Sequence, residues 1–289
     1  MKSMQVLKEL SDLTAFQWGM VTTAQAAACG VSRLQISRLA EEGHLERVGY
    51  GIYRDSGTPP ERFSSLKAAW LSVNPWRTAQ ERLADEPPDA VVSGAAASYL
   101  LGLGDLVPEP YEFTVPVRRQ TQRPELAFRV KRLPDESLTR REGLPVTTPE
   151  QTIADLVAAR MDKSLVAGVL AEAETFDADR LVALLSPLAS RNGFKPDDGE
   201  ALFTELERLA HRDADSLAKA VSATALAQRI VIGYLKTLDP TAEVRQAIQE
   251  ILAHPPTSQA TLGSRVGRHL VGADPSVQHP FLGDAEQTV

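Results

Sequence analysis

Arg33 and Arg38, with Ser32, Gln35 and Ser37 beside them, gather five hydrogen-bonding side chains into one short stretch of helical pattern. A guanidinium is a planar fork that matches the O6 and N7 acceptors of guanine, while serine and glutamine bond either bases or phosphate. Presented together from the first turns of a helix, these residue types could read base edges in the major groove of duplex DNA. Further on, Arg47 and Arg54 flank a Gly49-Tyr50-Gly51 turn that carries Tyr50 at its centre. Such side chains hold phosphates or enter the minor groove, and so position a domain without specifying sequence.

Other chemistry finds no support. There is no Gly-rich phosphate loop, no metal-ligand cluster, no Ser-His-Asp context and no convincing pair of catalytic carboxylates. Asp105, Glu112 and Asp155 are the interior-looking acids of the middle region. The chain therefore reads as non-enzymatic, without cofactor or metal. Its single cysteine, Cys29, forms no intramolecular disulfide and reads as a small buried hydrophobe, in keeping with a reduced compartment. Trp18 reads as core, and His44 as lying at a helix–wing junction. No apolar run approaches the roughly 18–20 residues that cross a bilayer, and the first residues lack a signal-peptide core, so a cytoplasmic location without membrane contact is expected.

Net charge is −7 over 289 residues, so DNA binding requires a local basic surface. The sequence is asymmetric in this sense. Residues 112–141 hold Arg118, Arg119, Arg123, Arg129, Lys131, Arg132, Arg140 and Arg141 against four acidic residues. This second basic stretch has three open readings: another nucleic-acid surface, a docking site for an anionic partner, or a solvated edge that resists aggregation.

The elements that must position the first group follow from periodicity and caps. Residues 1–13 predict a helix with Met4, Leu7 and Leu10 on its inner side, joined by Val6 and Leu13. Thr22 and Thr23 are N-cap candidates for an Ala-rich helix that stops at Gly30, and Ser32 caps a second helix ending at Gly43. Ala26, Cys29, Val31, Ile36 and Leu39 then occupy the buried positions of a helix-turn-helix, with Gln25 departing from the pattern. The segment HLERVGYGIYRD predicts a hairpin, the wing.

Composition shifts at 56–62, read as a linker. Helical pattern resumes at 63–73, a loop follows over 75–89, and an Ala-rich helix occupies 95–101. Tyr111–Val117 and Ala127–Leu133 have strand content, and together suggest a hairpin. Thr148-Pro149 opens another helix. Helical spacing marks 163–173, 178–190, 199–212, 214–238 and 241–253, and 255–289 has the composition of a disordered tail. The expected class is α+β, mainly helical: a winged helix-turn-helix over 1–55, a linker over 56–62, and an effector domain over 63–254 that is mixed α/β to about 160 and helical after.

The run GMVTTAQAAACGVSRLQISRLAEEGHLERVGYGIYR closely resembles the N-terminal domain of the AbiEi family, antitoxins of type IV toxin–antitoxin systems. VVSGAAASYLLGLGDL, EFTVPVRRQ and GLPVTTPEQTIADL resemble its middle region, extending the similarity over roughly residues 15–160. The resemblance implies an autorepressor that binds repeats in its own promoter and counters a nucleotidyltransferase-like toxin, with which it need not form a stable complex. It places the recognition role on Arg33 and Arg38 and the wing role on Arg47 and Tyr50. Some similar proteins carry a nuclease-like C-terminal domain, but here that region shows helical rather than strand pattern. Two other readings stay open: a plain winged-helix regulator without a toxin partner, and a nucleic-acid-cleaving enzyme.

Overall fold

The computed structural model describes residues 3–211. The helices expected at 214–238 and 241–253 and the tail expected at 255–289 lie outside the described residues. The described chain is α+β.

Its N-terminal part runs α1 (Ser3–Ala15), β1 (Met20–Thr22), α2 (Thr23–Ala28), α3 (Arg33–Glu41), β2 (Leu45–Gly49) and β3 (Ile52–Asp55). The strands form an antiparallel sheet in the order β1-β3-β2, and this order of elements is that of a winged helix. Val6, Leu10, Val21, Ala26, Val31, Ile36, Leu39 and Leu45 form its own apolar cluster. Two expectations change. Met4 is exposed, because the inner face of α1 follows Val6, Leu10 and Thr14. Cys29 is also exposed: it is the C-cap of α2, past the last turn that packs, and Val31 takes the core position instead.

Residues 56–62 form neither helix nor strand. Beyond them come α4 (Ser64–Val73) and α5 (Ala79–Leu83), the latter inside the stretch expected to be a loop. Thr78 and Glu81 form a capping box that starts α5, but one and a half turns are too few to register as a period. Then follow β4 (Val91–Val92), α6 (Gly94–Leu101), β5 (Tyr111–Val115), β6 (Leu126–Val130), β7 (Leu138–Arg141), β8 (Leu144–Thr147) and α7 (Pro149–Ala158).

The five strands are ordered β6-β5-β4-β8-β7. The expected hairpin between β5 and β6 is corrected: the two strands are parallel, Tyr111 opposite Leu126 through Val115 opposite Val130. Residues 116–125 carry the chain back to the starting edge. Side-chain alternation specifies a strand's faces and not its direction, so a polar connection between two strands looked like a turn. The true hairpin is β7–β8, antiparallel around Glu142-Gly143, both at positive φ (53° and 77°), the geometry of a tight two-residue turn.

The sheet and α4 share one apolar cluster that includes Trp70, Leu71, Leu66, Phe113 and Val146, and also Met20 and Ile52 of the winged part. Trp18 is half-buried and meets Trp70 edge-on, ring centroids 6.1 Å apart. Buried polar bonds cross the same seam. Gln25 Nε2 donates to the Arg77 carbonyl at 2.8 Å, and Ala79 N donates to Gln17 Oε1 at 2.8 Å. Gln25, which broke the helix-turn-helix pattern, is thus buried for polar reasons; it also closes the capping box on Thr22. A further cluster joins α6 and α7 to α8 (Lys163–Glu172), α9 (Ala178–Leu185) and α10 (Gly199–Leu209). Among the described residues no helix is long and apolar enough to cross a membrane.

Candidate nucleic-acid interface

α2 and α3 are each opened by the same device. Thr22 accepts from the Gln25 backbone N while the Gln25 side chain returns to the Thr22 N–H, and Ser32 and Gln35 repeat this at α3. Between them Gly30 adopts φ +76°. No atom lies within 4 Å of where its Cβ would stand, so conformation and not space calls for glycine there. Val31 N closes the turn on the Ala26 carbonyl at 2.9 Å.

Ile36 and Leu39 anchor α3 to the core, at 1% and 2% exposure. That seating leaves Arg33, Leu34, Ser37 and Arg38 exposed. Among the described residues neither Arg33 nor Arg38 enters an ion pair. Ser32 and Gln35 were expected to face DNA as well, and the structure commits them to the cap: Gln35 is half-buried, and its Oε1 accepts from both Ser32 N and Ser32 Oγ at 2.8 Å. Leu34 was not among the expected site residues. An apolar residue on the solvent side carries no polar signal in sequence.

On the wing, Arg47 is exposed, with Nε donating to the Gly49 carbonyl at 3.2 Å, and Tyr50 stands at the tip, 74% exposed. Gly51 at φ +68° makes that tight tip possible. Arg54 is the correction. It is buried at 5% exposure, ion-paired with Glu46 across the hairpin and facing Ser64. Its β3 position alternates inward, so it cannot serve as a phosphate contact.

The second basic stretch does not form one free surface. Arg119 Nη1 donates to the Val73 carbonyl at 2.7 Å, and Arg123 Nη2 donates to the carbonyl and hydroxyl of Ser72 at 3.2 and 2.9 Å. Both guanidiniums therefore satisfy the last turn of α4, where carbonyls lack helical partners and the helix dipole favours cations. Arg129 Nε bonds Glu112 Oε2 at 3.1 Å and Nη1 bonds the Asp155 carbonyl at 3.2 Å. Arg140 reaches the Leu83 carbonyl at the end of α5. Arg118, Lys131 and Arg132 remain exposed. Lys131 and Arg132 line a cleft with Pro87, Thr114 and Leu138.

The interior-looking acids have structural partners or none to offer. Asp105 is exposed, Glu112 is held by Arg129, and Asp155 accepts from Gln151 Nε2 at 2.8 Å.

Residues 8–54 match the family described as transcriptional regulator, AbiEi antitoxin. The match runs from within α1 to the end of the wing, and it contains Gly30, both capping boxes and the exposed face of α3. No match is found among curated proteins. The matched segment has the element order of a winged helix, and Arg33, Arg38 and Arg47 are exposed on its α3 and wing.

Proposed function

We propose that this chain is a DNA-binding autorepressor and antitoxin, with the AbiEi-type module docking α3 in the major groove and the wing on the adjoining backbone. The observation that carries the reading is the pair of exposed arginines, Arg33 and Arg38, without an ion-pair partner among the described residues, on a helix seated through Ile36 and Leu39. In this reading Arg33 and Arg38 contact bases, Ser37 bonds base or phosphate, and Arg47 and Tyr50 hold the backbone. The module binds inverted repeats upstream of its own gene, and the chain counters a nucleotidyltransferase-like toxin in the cytoplasm. Residues 1–55 supply DNA binding and 63–254 the antitoxic function.

The test is a mobility-shift titration of the purified chain on its own upstream region, at two salt concentrations, against a scrambled duplex. Tight binding to the upstream duplex alone, weakening as salt rises, is expected. Equal weak binding to both duplexes would overturn the regulator reading. A second reading, a regulator without a toxin partner, is favoured by the family match ending at residue 54. Co-expression with the product of the neighbouring gene separates the two: rescue of growth supports the antitoxin, and a harmless neighbour supports the plain regulator.

A further inference from the structure

We infer that Leu34 is a specificity-determining residue of the α3 interface and reads thymine through its C5-methyl group; the inference rests on the DNA-binding reading above. Besides Ala40, α3 holds three aliphatic residues, and the two on its core face, Ile36 and Leu39, are all but sealed from solvent, whereas Leu34 is 61% exposed and belongs to none of the apolar clusters. A single exposed leucine is ordinary on a protein surface. Its position is what matters here. Residues three and four apart share a helix face, so Leu34 stands in one row with Ser37 and Arg38, all exposed. It lies in the first turn after the Ser32 cap, the end of a recognition helix that meets base edges.

A leucine side chain has no donor or acceptor. The major-groove edges of the four base pairs are polar except for one feature, the C5-methyl of thymine. A leucine placed one turn before Arg38 on that face gains only where such a methyl meets it, and elsewhere it covers polar base edges without replacing their water bonds. Arg38 then selects guanine, and Leu34 selects thymine beside it. The site preferred by α3 contains thymine next to a guanine contact, a pattern that arginine contacts alone do not require.

The experiment uses the full chain and duplexes enriched from a randomised pool by rounds of binding. Within the best duplex each thymine is replaced in turn by deoxyuridine, which lacks the C5-methyl alone, and affinities are compared for the wild type and Leu34→Ala. Wild type should lose about fourfold at one or two positions, the worth of one methyl-sized group withdrawn from contact. The Leu34→Ala chain should bind the parent duplex more weakly and be indifferent to the same replacements. Equal losses in both chains, or no loss in either, would overturn the leucine assignment while leaving DNA binding intact. Failure of the pool to enrich any sequence would instead overturn the DNA-binding reading, and this inference with it. Because Leu34 is exposed, Leu34→Ala should keep its fold, which circular dichroism and an unchanged urea midpoint would verify.

Discussion

Arg33, Arg38 and Arg47 of the N-terminal module and most of the arginines of the following sheet region are the same residue type in opposite employment. Arg33, Arg38 and Arg47 are exposed, and only Arg47 spends one guanidinium donor locally, on the Gly49 carbonyl. Arg119, Arg123 and Arg140 instead bond carbonyls at the ends of α4 and α5, Arg129 bridges Glu112 and the α7 backbone, and Arg82 is sealed at 0% exposure. The difference teaches that a count of basic residues is not a basic surface. Unsatisfied helix C-termini compete with solvent for guanidiniums, and a five-donor fork can answer several carbonyls at once.

The largest effect on stability should come from the deepest of the committed arginines. Arg82 binds both oxygens of Asp89 through Nε and Nη2 at 2.9–3.1 Å, donates from Nη1 to the Trp70 carbonyl at 2.7 Å, and lies 3.5 Å over the Trp70 ring. Burial pulls its pKa down while Asp89 pulls it up. Arg82→Ala removes the buried counter-ion of Asp89, leaving it only Arg119 at 3.7 Å and Asn74 Nδ2 at 3.0 Å, and should cost about 3 kcal/mol of stability. A urea titration reads this directly, and a loss below about 1 kcal/mol would show that the region relaxes around the gap and that its arginines are less committed than the geometry implies.

The opposite experiment reads affinity. The double change Arg33→Ala and Arg38→Ala should lower affinity for the upstream duplex by about 2–6 kcal/mol, taking roughly 1–3 per bidentate contact, and leave the urea midpoint nearly unmoved. Unchanged affinity in a folded double mutant would erase the contrast between the two regions. Smaller again is the effect of Arg129→Ala, which strips Glu112 of its partner at a half-buried site. It should cost about 1–2 kcal/mol of stability, with DNA affinity unaltered. A fall in affinity without a fall in stability would reassign Arg129 to an interface.

Much of the winged module was legible from residues because its signals are local. Gly30, the caps at Thr22 and Ser32, and the alternation through Ile52 each act within a few positions of themselves. Arg54 was misjudged because its partner, Glu46, lies across a hairpin whose register is bulged between Arg47 and Gly49. The sheet region was less legible for the same reason on a larger scale. The parallel pairing of β5 with β6, and the use of Arg119 and Arg123 by α4 some 46–51 residues away, depend on partners that no local window contains. Leu34 escaped notice because exposure itself is a tertiary property. Gln25 looked like a defect in the helix-turn-helix until Gln17 and Arg77 supplied its bonds.

The smallest effect sharpens the comparison through charge of the other sign. Asp155 sits among Arg129, Lys131, Gln151 and Glu112, and the cations and the Gln151 bond favour its charged form. Burial, the strongest influence, nevertheless raises its pKa above the ordinary carboxylate value, aided by Glu112. Its Oδ2 is buried and has no hydrogen-bond partner among the described residues. The native carboxyl thus keeps its proton at pH values where the unfolded chain has released it. Between the ordinary carboxylate value and the raised native one, the folded state binds more protons, so this group's contribution to stability falls as pH rises through that window. Asp155→Asn keeps the shape and removes the titration. The variant should gain on the wild type as pH rises through that window and hold a constant difference above it, as read from urea midpoints across the acid range. A gap that shrinks with rising pH would mean that Arg129 and Lys131 prevail over burial, and that cations in the sheet region retain field to spare for a ligand after all.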